Sequence, residues 1–150
     1  MLGLIGLNHN SAPVNLREQF SFTEEENIAF SIQIRSEMNV RGSVILSTCN
    51  RTEIYFDLEK SCINTGYQYI LNHLATFKNY RDELKDNFYF YHGDEVVKHL
   101  FKVVSGLDSM ILGEDQIIGQ VKSAFMLAND NKFTGNIIGR LFQKSFETGK

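Results

Sequence analysis

Two strand-like runs separated by three residues constrain this chain more than any other feature. Residues 43–48 carry the apolar run Val44-Ile45-Leu46. Residues 52–58 alternate Ile54, Phe56 and Leu58 against Glu53, Tyr55 and Asp57, the period of a strand. The break at 49–51 is short, so the two runs are expected to pair as a hairpin with Cys49 near its tip.

The flanking patterns extend this hairpin into a fold. Residues 2–8 read as a buried strand, Asn8 to Pro13 as a loop and 15–21 as a short helix. Thr23 with Glu26 three residues later makes a capping box. The helix it opens carries the imperfect stripe Ile28, Phe30, Ile32, Ile34 and Met38, and Gly42 breaks the chain before the hairpin. A second helix is expected over 62–78 on Ile63, Tyr67, Ile70, Leu71 and Leu74, and a fourth strand from Phe88 to Tyr91. The order β-α-β-β-α-β is the split β-α-β of ferredoxin-like α+β folds with an antiparallel sheet. Additional C-terminal helices follow: 94–105, about 113–130, and one from near Asn136.

A length of 150 residues fits one domain with a normal core. The net charge of −3 gives no global basic field, so any RNA contact has to be local. No apolar run approaches a membrane span, and Leu2–Leu7 is too short for a signal-peptide core. The two cysteines, Cys49 and Cys62, have no metal-ligand spacing. A cytoplasmic location with free thiols is therefore expected.

Cys49 is the first candidate for chemistry. A lone cysteine is more often a small buried hydrophobe. Here it ends a strand among Thr48, Asn50 and Arg51. Arg51 can favour a thiolate by charge, or hold a carboxylate with its planar fork. Cys62 follows Lys60-Ser61 at a helix start and reads as incidental. His99 sits among Val96, Val97, Leu100 and Phe101, as a core or surface histidine or as a proton carrier. His9, His73 and His92 form no metal set. In Gly106–Gln116, Asp108, Ser109 and Gly113 offer helix caps, and Glu114 and Asp115 suit a helix N-terminus. Gln116 and Gln120 share a helix face. There is no G-x-G-x-x-G for a dinucleotide.

Two segments carry a family resemblance. Ser47-Thr48-Cys49-Asn50-Arg51-Thr52-Glu53-Ile54-Tyr55 and the stretch from Gly106 through Lys122 both resemble glutamyl-tRNA reductase, as does Gly6-Leu7-Asn8-His9 with Ala12-Pro13-Val14 and Arg17-Glu18. The resemblance covers the whole chain. It implies reduction of glutamyl-tRNA(Glu) to glutamate-1-semialdehyde with NADPH, the first step of tetrapyrrole synthesis by the five-carbon route. It implies Cys49 as nucleophile and thioester carrier, His99 as a residue needed for activity, and no metal. Thr48, Asn50, Arg51, Ser109, Glu114, Asp115, Gln116 and Gln120 fall on positions associated with substrate binding. It further implies that residues 1–150 are the catalytic domain, with the NADPH-binding and dimerisation domains absent from this chain. The full-length protein is then expected to be a homodimer. Glutamate-1-semialdehyde aminomutase, the next enzyme of the pathway, is a candidate partner. Two other readings stay open on the residues: a non-catalytic module for charged tRNA or a protein partner, and a regulatory domain using Cys and His to bind haem.

Overall fold

The computed structural model describes residues 1–84, 86–106 and 116–148, with Gln116 by its backbone alone. In chain order the elements are β1 (Leu2–Asn8), α1 (Val14–Gln19), α2 (Glu24–Met38), β2 (Gly42–Ser47) and β3 (Arg51–Asp57). A 3-10 turn at Lys60–Cys62 leads into α3 (Ile63–Phe77), β4 (Tyr89–His92), α4 (Asp94–Val104), α5 (Gln116–Asp130) and α6 (Gly135–Thr148). The sheet order is β2-β3-β1-β4, and every pairing is antiparallel. The expected ferredoxin-like α+β topology is the one observed, and both helices expected between β1 and β2 are present, α1 and α2.

Helices cover both faces of the sheet. On one face Ile5, Leu7, Ile45, Ile54 and Phe56 pack with Phe20, Phe30, Ile34, Ile70 and Leu74 of the α1–α3 layer. On the other, Leu4, Val44, Leu46 and Tyr55 pack with Val96, Leu100, Val103, Val121, Ile138 and Phe142 of α4–α6. This explains why β1 and β2 read as continuous apolar runs: neither face of the sheet is left to water along β1, β2 and β3, and only the edge strand β4 exposes alternate residues, Phe90 and His92. It also corrects the alternation expected for β3. All seven of its residues are buried. Glu53 and Tyr55, the polar partners in the pattern, face the α4–α6 layer instead of solvent.

Helix α2 starts as expected. Glu26 N donates to Thr23 Oγ1 at 3.2 Å and Thr23 N donates to Glu26 Oε1 at 2.9 Å, which closes the capping box. Its buried face is Asn27, Phe30, Ser31 and Ile34, the true i, i+3, i+4, i+7 row. Ile32 is 53% exposed, and Ile28 turns to the second core. The apolar stripe misled because the buried row contains two polar residues. Asn27 has a use there: its Nδ2 donates to Ile45 O at 3.0 Å, satisfying a carbonyl of β2, an edge strand. The fourth strand lies one residue later than expected, and Phe88 packs in the first core. The expected helix over 113–130 is described from Gln116 onward. Among the described residues no helix is long and apolar enough to cross a membrane.

Candidate functional site

The β2–β3 hairpin puts Cys49 where the sequence implies. Thr48 N donates to Arg51 O at 2.8 Å, so Cys49 and Asn50 form the loop between them. Thr48 Oγ1 then accepts from Asn50 N and Arg51 N, each at 3.2 Å, and ties the reversal to its own root. Cys49 is exposed with a free thiol, and Thr48 and Asn50 are half-buried beside it. From α1, Arg17 Nη1 donates to Cys49 O at 3.5 Å. Antiparallel pairing of β1 with β3 places Asn8 opposite Arg51, so the end of β1 supports the same tip.

Below the tip the chain buries charge. Arg51 is 1% exposed and Glu53 is fully buried, both in the interior between sheet and helices. Arg51 Nη1 lies 3.4 Å from Glu53 Oε2. The Tyr55 hydroxyl donates to Glu53 Oε1 at 2.8 Å, and the Tyr89 hydroxyl donates to Glu53 Oε2 at 2.5 Å. From α4, His99 Nε2 hydrogen-bonds the same Oε2. The rings of Tyr89 and Tyr91 lie tilted against the imidazole, with centroids 5.5 and 5.2 Å away.

A glycine makes this convergence possible. β1 is central, and Gly6 pairs with Glu53 on one side and with Tyr89 on the other. A Cβ at Gly6 would sit 2.9 Å from Glu53 Cγ and 3.0 Å from the Tyr89 hydroxyl oxygen. The missing side chain is the gap across which the tyrosine reaches the carboxylate.

The electrostatics follow from the contacts. Burial acts to raise the Glu53 pKa. The His99 hydrogen bond and charge, the Arg51 charge and the Tyr89 hydroxyl together outweigh it and bring the group down to about 2. Glu53 is thus held as a carboxylate. Burial first, then the neighbouring Glu53 charge, push the Tyr55 phenol well above its ordinary value. It stays a donor.

The sequence-predicted residues separate into groups. Thr48, Cys49 and Asn50 form the tip, and Arg51 and His99 meet through Glu53. Gln120 is exposed on α5 and lines a different cleft of about 600 Å³ along β2, with Phe22, Asn27, Ser47 and Ser123. His99 also borders a cleft of about 200 Å³ with Tyr91, Glu95, Lys98 and Lys102. Ser109, Glu114 and Asp115 lie outside the described residues, as does the side chain of Gln116. Glu53, Tyr55, Tyr89 and Gly6 escaped sequence reasoning as site residues. The available signal was an acidic residue inside a strand whose two faces both had helices to cover them.

Dinucleotides bind where parallel strands diverge beside a glycine-rich turn. This sheet is antiparallel throughout and the sequence has no G-x-G-x-x-G, so the described residues do not build a dinucleotide site of that type. Among the described residues no three His, Cys, Asp or Glu side chains form a metal-binding group.

Comparison with known proteins agrees with these features. The family described as "Glutamyl-tRNAGlu reductase, N-terminal domain" matches residues 5–150. A glutamyl-tRNA reductase of Exiguobacterium sp. is 43% identical over 148 residues, covering 98% of this chain and 33% of that protein. The glutamyl-tRNA reductase of Bacillus subtilis is 40% identical over 148 residues, with 98% and 32% covered. The solved glutamyl-tRNA reductase from Methanopyrus kandleri superposes with a TM-score of 0.78 at 29% identity, over 99% of this chain and 33% of that one. The chain spans about a third of the length of these relatives. On the family match, the hairpin bearing Cys49 and the shared fold, this chain belongs to the glutamyl-tRNA reductase N-terminal domain family.

Proposed function

We propose that this chain is the acyl-accepting domain of a glutamyl-tRNA reductase, with Cys49 taking the glutamyl group from glutamyl-tRNA(Glu). The Cys49 sulfur attacks the ester carbonyl and forms a C–S bond. The bond from that carbon to the ribose oxygen breaks. The thiol proton ends on the departing ribose hydroxyl, and His99 is the group assigned to carry it. The products are a glutamyl thioester and free tRNA. A thioester accepts hydride more readily than an ester, so this transfer splits one difficult reduction into two easier steps.

Glutamate brings a carboxylate to the site. Arg51 is its assigned partner, since a guanidinium fork holds a carboxylate through two bonds. Thr48 and Asn50 shape the tip around the sulfur. Ser109, Glu114, Asp115, Gln116 and Gln120 keep the substrate-binding roles that the family pattern gives them. Reduction to glutamate-1-semialdehyde, the opening step of tetrapyrrole synthesis, needs a hydride donor that these residues do not hold, so no step of it is placed in this chain.

The observation that supports the reading is a free, exposed thiol at a hairpin tip rooted directly on a buried arginine and histidine cluster. The test is a single mixing experiment. Glutamyl-tRNA added to excess protein should lose its acyl group in a burst, with no cofactor present. The Cys49→Ser chain should leave the ester intact over the same time. Equal deacylation by both chains would refute the assignment.

A further inference from the structure

We propose that Glu53 is the positioning residue for His99: locked by the Tyr55 and Tyr89 hydroxyls, it holds the imidazole with Nε2–H turned to the sheet. Nδ1 is then the nitrogen left to exchange protons with a reacting group. The rate consequence rests on the acyl-transfer reading above; the tautomer assignment does not.

The geometry leaves the carboxylate little freedom. Oε1 is held by Tyr55 at 2.8 Å, and Oε2 by Tyr89 at 2.5 Å with Arg51 at 3.4 Å. Rotating the group would break bonds at both oxygens. The two tyrosines come from different strands, β3 and β4, and the second reaches Glu53 only because Gly6 lies between them without a side chain. On the histidine side, α4 is anchored by buried Val96, Leu100 and Val103, and the imidazole lies against Tyr89 and Tyr91. The ring is therefore constrained by its helix, by two aromatic neighbours and by one carboxylate.

Stability alone is a poor reason for such a cluster. A buried ion pair is often no better for folding than well-packed apolar side chains of the same volume. The surrounding core is apolar. A carboxylate fixed on one imidazole nitrogen sets which nitrogen carries the proton, and the wrong tautomer is costly in proton transfer.

The test has two arms. In the first, nitrogen-15 NMR of the chain reads the neutral His99 ring. The wild type should show one tautomer with the proton on Nε2. Glu53→Gln should lose that preference, because an amide can present either a donor or an acceptor to the ring. In the second, single-turnover transfer from glutamyl-tRNA should fall at least about 100-fold in Glu53→Gln. The tRNA concentration for half-maximal rate should not change, and Glu53→Asp should recover part of the loss. Tyr89→Phe, which removes only one hydroxyl, should move both readouts in the same direction and guards against a folding defect in the other variants. A His99 ring in the same single tautomer in Glu53→Gln overturns the proposal, as does an unchanged rate. If the wild-type chain transfers no acyl group at all, the acyl-transfer reading fails, and the first arm still decides the tautomer.

Discussion

The Tyr89 hydroxyl donates to Glu53 Oε2 at 2.5 Å across the main chain of Gly6, the residue paired with both. A side-chain hydrogen bond thus links β3 to the edge strand β4 over the central strand β1 that lies between them. The contact depends on the absence of a single carbon atom. It joins the root of the Cys49 hairpin to β4 and, through His99, to α4.

Gly6→Ala tests that dependence. The added methyl meets Glu53 Cγ at 2.9 Å and the Tyr89 ring and hydroxyl at 3.0 Å. These neighbours are held by their own hydrogen bonds and cannot withdraw freely. Overpacking of this kind costs about 1–3 kcal/mol. The urea midpoint should fall accordingly. An unchanged midpoint would show that the gap closes without strain.

Acid sensitivity has a predicted source. The Glu53 pKa is held at about 2 in the folded chain against an ordinary value of 4.5. A depressed folded value stabilises the fold fully above the unfolded pKa. That contribution is lost as pH falls from about 4.5 towards 2. It is on the order of 3 kcal/mol. Denaturant midpoints measured down this range should drop steeply for the wild type. Glu53→Gln should start lower at neutral pH and decline less. Parallel curves for the two chains would place the acid-sensitive group elsewhere.

Thr48→Val probes the hairpin tip. Thr48 Oγ1 accepts from Asn50 N and Arg51 N, and valine keeps the shape while removing the acceptor. Two part-buried N–H groups then lose their partner, a cost of about 1–3 kcal/mol if water does not replace it. Hydrogen exchange at Asn50 and Arg51 should accelerate, while exchange in the α3 core should not. Equal protection in both chains would mean that the backbone pairing alone fixes the tip.

Much of the fold is legible in the sequence because each element carries its own signal. The capping box at Thr23 and Glu26, the short break at 49–51 and the helical stripes after β4 each specify a local structure that survives packing. The polar half of β3 misled, because period two distinguishes two faces without saying that both are covered. Ile28 and Ile32 misled for a related reason: in α2 the core takes Asn27 and Ser31 instead, since Asn27 serves the carbonyl of Ile45. The site divides in the same way. Cys49 and its neighbours are adjacent in sequence and could be read as a motif. Glu53, Tyr89, Gly6 and His99 are brought together only by strand register and by the packing of α4, which no spacing along the chain encodes.

The most direct test of the account is the fate of the Cys49 sulfur. The chain is mixed with glutamyl-tRNA, quenched in acid and digested, and the peptides are weighed. The account predicts one added glutamyl group on the peptide containing Cys49, removable by hydroxylamine as a thioester should be, and none on the peptide containing Cys62, the other exposed thiol. An unmodified Cys49 peptide after the tRNA has been deacylated, or an adduct on Cys62 instead, would contradict it.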